Sequence, residues 1–186
     1  MNLYEFLARL GQLKAAASLE TLQQELRSLS LSVDEIPHLT SFHPDRYMRN
    51  RIGLSQHFEA LLLCFEAGQR TPIHDHAGSA CGVKVLEGVA TETIFDRTPD
   101  GWLFATESNA LRAGGVVGSN DMDTHQLSNL QTAGKRLVTL HIYSPPLGTV
   151  GNYSLVDNQV HCVQAAVQDL VPIVQAQMAD LHLPQT

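Results

Sequence analysis

Cysteine is scarce in this 186-residue sequence. Cys64, Cys81 and Cys162 are widely spaced and odd in number, which argues against a disulfide framework and for a reducing compartment. Basic residues are scarce too. Twelve Lys and Arg against nineteen Asp and Glu leave a formal net charge of -7, without the basic footprint of a nucleic-acid binder. No apolar run approaches the roughly 20 residues that a membrane span needs. The opening string MNLYEFLARLGQLKAAAS has no basic region followed by an apolar core, so it is not expected to act as a secretory signal. The expectation is a cytoplasmic monomer with neither nucleic-acid nor membrane partners. With 44% hydrophobic and 17% charged residues, the chain is expected to be globular and not disordered. What is plentiful is histidine: nine residues, several of them clustered.

The first 40 residues carry helical spacing. Leu3, Phe6, Leu7 and Leu10 form one stripe over residues 3–13, and Leu19, Leu22 and Leu26 form another over 18–29. Ser32, with Glu35 three residues on, predicts a capping box for a short third helix. Pro37 and Pro44 then break the pattern. From Tyr47 short β-prone runs take over, at 57–66, 81–87, 91–96, 115–118, 125–129, 136–143 and 153–156. Turn signals such as Glu87-Gly88, Thr98-Pro99-Asp100-Gly101 and Ser144-Pro145-Pro146 separate them. Many short strands at near-regular intervals predict an antiparallel sandwich or barrel. The stretch 164–183 returns to helix-like spacing around Pro172. The expected organisation is a single domain over 1–186: a helical segment (1–40), a β-barrel core (47–157) and a C-terminal extension (158–186).

Histidines at i and i+2 of an extended segment face the same way, and His74-Asp75-His76 has that spacing. Two such imidazoles can share one metal ion, although paired histidines on a strand are also a common surface feature. Gly68 lies six residues before His74, and Gly88 twelve after His76. Downstream, Thr124-His125-Gln126-Leu127-Ser128-Asn129 places a third histidine at the start of a β-like run. Asp75 is expected to face away from the metal, where it can orient a neighbour.

This arrangement resembles the two metal motifs of the cupin superfamily, with Gly68, His74-x-His76 and Gly88 as the first and His125 with Asn129 as the second. The resemblance implies a mainly β fold: a jelly-roll barrel holding a metal, here with an N-terminal helical cap. The chain departs from the pattern in two places. Ala80 and Cys81 stand where cupins usually carry a glutamate, and Asn120 and Met122 stand where Pro and Gly are often found. The missing carboxylate matters physically. Common non-haem iron oxygenases use two histidines and one carboxylate. Three neutral imidazoles leave the ion's full charge in place, favour an anionic incoming ligand such as a thiolate, and leave adjacent coordination positions for substrate and dioxygen.

Within that superfamily the chain is similar to cysteine dioxygenases. The resemblance rests on Tyr47-Met48-Arg49-Asn50, on His74-Asp75-His76 with Cys81, on Lys84-Val85-Leu86-Glu87-Gly88, and above all on Leu140-His141-Ile142-Tyr143-Ser144-Pro145-Pro146. It runs from about Tyr47 to Pro146. It implies Fe(II) on His74, His76 and His125. It implies L-cysteine and O2 as substrates, with the thiolate and amine on the iron and the carboxylate on Arg49. Tyr47 would support that end of the pocket. Tyr143 would set its hydroxyl near substrate and oxygen, with His141 behind it and Thr139 where animal members have serine. Cys81 matches the cysteine that forms a thioether to the tyrosine, here Tyr143. Val150 falls where animal enzymes carry a second pocket cysteine.

Each of these residues also has a plain packing explanation. Arg49, beside Arg51, fits a solvated surface charge. Cys81 fits a small buried hydrophobe. Tyr143 and His141 fit core residues with their polar atoms satisfied. Cys64 belongs to an apolar run and is expected in the core, and His38, His43, His57, His161 and His182 are expected at the surface or in packing. Three other functions remain open. A three-histidine zinc site would activate water, but it gives no reason for Cys81. A non-catalytic cupin would sense a small molecule. A 3-mercaptopropionate dioxygenase is the nearest enzymatic alternative, a family that tends to carry glutamine in place of Arg49 and glycine in place of Cys81. Relatives that oxidise cysteamine or a protein N-terminal cysteine would leave Arg49 without a carboxylate.

Overall fold

The computed structural model describes residues 1–120 and 124–185. Met122 lies outside the described residues. Helices α1 (Leu3–Leu10) and α2 (Leu19–Ser28) open the chain, followed by two 3-10 turns (Val33–Glu35 and Pro37–Leu39). Strands follow as β1 (Met48–Leu54), β2 (Glu59–Phe65), β3 (Ile73–His74), β4 (Ala80–Glu87), β5 (Val89–Arg97), β6 (Leu103–Arg112), β7 (Val116–Ser119), β8 (Thr124–Ser128), β9 (Leu137–Ser144), β10 (Val150–Tyr153), β11 (Val160–Val163) and β12 (Gln168–Asp169). Helix α3 (Val171–Asp180) comes last.

The strands form two six-stranded sheets, ordered β12-β1-β2-β9-β4-β7 and β11-β10-β3-β8-β5-β6. The apolar run in β2 explains how they are covered. A strand points alternate side chains to opposite faces, so a run buried at every position needs packing on both. Ala60, Leu62 and Cys64 join Leu140 and Ile142 in a cluster with the helices, through Leu7, Leu22 and Leu26. Leu61, Leu63 and Phe65 turn the other way and join Cys81, Val83, Val85 and Tyr143 between the sheets.

Close approach fixes how the helices sit. Gly82 faces α2, where an added Cβ would lie 2.8 Å from Leu26 Cδ1 and 3.1 Å from Leu22 Cβ. Lys84, two residues on and so on the same face, is buried and donates from Nζ to the carbonyl oxygens of Leu26 (3.0 Å) and Leu29. A cation there meets the negative end of the helix dipole and satisfies carbonyls that the helix leaves open. Gly88 turns the chain between β4 and β5 at φ +81, with an added Cβ only 2.3 Å from the Arg136 carbonyl oxygen, so no other residue fits.

The helical cap, the jelly-roll layering and the Ser32–Glu35 capping box match the sequence reading. Several strands do not. β1 carries Arg49, Asn50 and Arg51 and lacks an apolar alternation, because its two faces meet a polar pocket and a buried amide. β6 is an edge strand with little burial, so no period-2 apolar signal marks it. The strand expected at 153–156 lies earlier, at β10, and β11 was not expected. The expected C-terminal helix is also shorter. Residues 168–169 pair in parallel with β1, and α3 begins only at Val171, with Pro172 in its first turn, where its missing N–H costs nothing. Among the described residues no helix is long and apolar enough to cross a membrane.

Candidate metal centre and pocket

Strand pairing gathers the three histidines. His74 in β3 lies opposite His125 in β8. His76 is not on that strand: β3 ends at His74, so the two-residue spacing alone does not aim it. Its ring is held by Ser119 at the end of β7, with Oγ 3.1 Å from Nδ1. His74 Nδ1 donates to the Pro72 carbonyl oxygen at 3.0 Å, and His125 Nδ1 meets Glu92 Oε1 at 2.8 Å. Each Nδ1 is thus engaged outward. The ligand atoms offered by the three rings lie within 4.8 Å of one another, and the Nε2 atoms of His76 and His125 are 3.2 Å apart.

This donor set fits a metal ion. An N–H that donates to a carbonyl or carboxylate leaves the other ring nitrogen with a free lone pair. Burial, with neighbouring His125 adding to it, holds the His74 imidazolium down to about 3 and the His76 imidazolium down to about 2. The His74 and His76 rings are therefore neutral at pH 7, and the trio offers its ring nitrogens to a shared space, which suits a bound cation. Asp75 faces away from this space. It accepts from the Gly151 and Ala77 amides (3.1 and 3.2 Å) and from the Tyr153 hydroxyl, tying the loop between the two histidines to β10.

A second constellation lies on the interior face of the other sheet. Register across β1, β2, β9 and β4 places Arg49, Leu63, Thr139 and Val85 in one row, and Arg51, Leu61, His141 and Val83 in the next. A third row runs Glu59, Tyr143, Cys81, Ser119. Cys81 and Tyr143 are therefore direct cross-strand neighbours, and their side chains hydrogen-bond. The Tyr143 hydroxyl lies 3.2 Å from His141 Nδ1, and His141 Nε2 lies 2.9 Å from Thr139 Oγ1. The His76 and Tyr143 rings are 5.6 Å apart, which joins the two constellations. Burial raises the Tyr143 and Cys81 acid groups well above their usual range and lowers His141 well below its own. At pH 7 all three are neutral, with protons that can be shared but not readily lost.

Among the described residues Arg49 Nε is buried without a hydrogen-bond partner, although Tyr47 bonds to the guanidinium and, with Tyr143, favours its charge against the cost of burial. Tyr47 is itself fixed by stacking on Phe65, with ring centroids 5.1 Å apart. A buried cationic donor left open is costly and marks a place for an anion. Asn50, next along, points the opposite way, to Ser41 and Cys64. It packs the strand and takes no part in the pocket.

Glu92 and Ser119 were not among the sequence candidates. Neither lies in a motif; both are set by pairing between strands remote in sequence. Glu92 on β5 lies diagonally across from His125, and Ser119 lies opposite Cys81.

A family model described as "Cysteine dioxygenase type I" matches residues 3–156. The protein named Cysteine dioxygenase type 1 from Danio rerio is 29% identical over 147 residues, covering 69% of this chain and 73% of that protein. Its Rattus norvegicus namesake is 31% identical over 137 residues, covering 71% and 68%. Two solved structures share the fold. One is a Klebsiella pneumoniae protein with a double-stranded β-helix domain, at 16% identity and TM-score 0.51 over 62% of this chain and 84% of the other. The second, from Thermus thermophilus, has 18% identity and TM-score 0.50 over 60% and 94%. The fold is the cupin double-stranded β-helix.

Proposed function

The chain belongs to the cysteine dioxygenase type I family, and on that premise we propose that it is an Fe(II)-dependent thiol dioxygenase that converts L-cysteine and O2 to cysteine sulfinic acid. The observation that carries the choice of substrate is Arg49. Its buried Nε, unpartnered among the described residues, faces the same interior as a histidine trio that could hold a metal ion, a group that holds no carboxylate among the described residues. His74, His76 and His125 would hold the iron. When bound, the iron supplies the redox chemistry and the positions at which thiolate, amine and dioxygen meet.

The chain's own residues do the rest. Arg49 takes the substrate carboxylate through charge-assisted bonds, and Tyr47, stacked on Phe65, keeps the guanidinium from turning away. Leu61, Leu63 and Val83 keep the interior dry. Tyr143 keeps its proton at neutral pH and can donate from its hydroxyl into the site. His141 and Thr139 pass that hydrogen-bond demand away from the pocket and fix the ring's orientation. Cys81, the cross-strand neighbour of Tyr143, would form a thioether with it. That bond removes one hydrogen from sulfur and one from a ring carbon, a two-electron oxidation with O2 as oxidant.

The test is turnover by iron-loaded protein of cysteine, 3-mercaptopropionate and cysteamine, following O2 uptake and sulfinate by mass. Cysteine should be preferred. Arg49→Ala should cut kcat/KM for cysteine by about 100-fold, the equivalent of a lost charge-assisted pair in a closed site. It should hardly change cysteamine turnover, since cysteamine has no carboxylate. A preference for 3-mercaptopropionate would keep the chemistry and change the substrate. Iron-loaded protein that oxidises none of the three overturns the reading.

A further inference from the structure

The segment after β11 crosses the outer side of the pocket. Two cavities, of about 300 and 460 Å³, are each lined by Arg49 together with Ala165–Val167, and the three histidines line neither. Arg49 and residues 165–167 are thus common to both cavities. Val167 packs inward against the cluster that contains Cys81, Leu63 and Tyr143. The segment is also pinned close to Arg49. Asn50 and Arg51 pair in parallel with Gln168 and Asp169, the Leu170 amide donates to the Arg51 carbonyl at 2.8 Å, and Leu170 is buried in the core. Arg51 grips Asp169 with Nη2 2.9 Å from Oδ2 and Nε 3.4 Å from Oδ1, while its Nη1 lies 3.7 Å from buried Glu59.

We infer that residues 165–167 are the outer wall of the substrate pocket, held over Arg49 by the Arg51–Asp169 latch, and that this wall limits the length of the thiol carboxylate accepted. The inference rests on the function proposed above. A substrate held by sulfur at the metal and by carboxylate at Arg49 is tethered at both ends. An added methylene pushes the carboxylate outward, against Val167. The metal trio and Arg49 set what the ends of the substrate must be, and the wall sets how far apart they stand.

Two measurements test this, one independent of turnover. The first is the rate at which phenylglyoxal modifies Arg49 in the metal-free protein, located by fragmentation of the Arg49 peptide. Modification should be at least about fivefold faster in Val167→Ala and in Asp169→Ala than in wild type, because each loosens or thins a locally held segment. Val156→Ala, which is exposed and outside both cavities, should match wild type. The second is the ratio of kcat/KM for L-homocysteine to that for L-cysteine. Val167→Ala should raise it about tenfold, the usual discrimination of one methylene, through KM more than kcat. Equal Arg49 modification in wild type and both variants overturns the wall, whether or not the protein oxidises thiols. Faster modification with an unchanged homocysteine ratio overturns its role in substrate length. Wild-type protein that oxidises no thiol, yet shows faster modification in the variants, leaves the cover over Arg49 supported and removes the proposed reaction instead.

Discussion

Strands β2, β9 and β4 are covered on both faces, yet the two faces have different compositions. Toward the helices they present Ala60, Leu62, Cys64, Leu140, Ile142, Gly82 and Lys84, which pack against Leu7, Leu22 and Leu26 and cap α2. Toward the barrel interior they present Leu61, Leu63, Thr139, His141, Tyr143 and Cys81. The two buried cysteines mark the contrast. Burial pushes Cys64 up to about 11 and raises Cys81 further, so both are inert thiols by acidity alone. Only Cys81 sits beside a tyrosine hydroxyl and a histidine. Partners, and not burial, separate a packing residue from a candidate site residue on one sheet.

The largest expected effect lies on the interior side. His76→Ala should remove nearly all bound iron, measured as metal per chain, because a three-donor site has no spare ligand. The folded barrel should persist, since β3 ends before His76. Full iron occupancy in this variant would take His76 out of the ligand set.

The next effect pits the faces against each other. Leu62→Ala and Leu63→Ala should each cost about 2–5 kcal/mol of stability, read from denaturant midpoints, because both are fully buried leucines. Only Leu63→Ala should also raise KM for cysteine, since Leu63 is the cross-strand neighbour of Arg49. A raised KM in Leu62→Ala would mean that the two faces are not separable.

The smallest effect concerns the cysteines. Cys81→Ser should stay folded, bind iron and lose a modest part of its turnover, while Cys64→Ser should lose only stability. In wild type, many turnovers with cysteine and O2 should yield a species lighter by two hydrogens, with the Cys81 and Tyr143 peptides joined and resistant to reduction. Separate peptides at high activity would make Cys81 a packing residue like Cys64.

Much of this was legible in the residues. The helical stripes, the Ser32–Glu35 box and the doubly apolar run at Leu61–Phe65 each carry a local physical signature: helical period, cap chemistry and burial on two faces. The motif around Tyr143 likewise named a tyrosine and a histidine two residues apart, and strand alternation puts both on one face. β1 was not legible, because a strand that turns Arg49 to a pocket and Asn50 to Ser41 and Cys64 looks like a polar loop. Nor was β6, where an exposed edge leaves no pattern to see.

The sequence by itself determined the chemical inventory: three histidines, an arginine, a tyrosine with its histidine, and a cysteine, each on an identifiable segment. Tertiary structure decided their partners. Glu92 reaches His125, Ser119 reaches His76, Cys81 lies opposite Tyr143, and residues 165–169 return to cover Arg49 and pair with β1. These contacts join positions 33 to 118 residues apart. They depend on strand register and on which sheet edges meet, and those are fixed only when the whole barrel closes on its core.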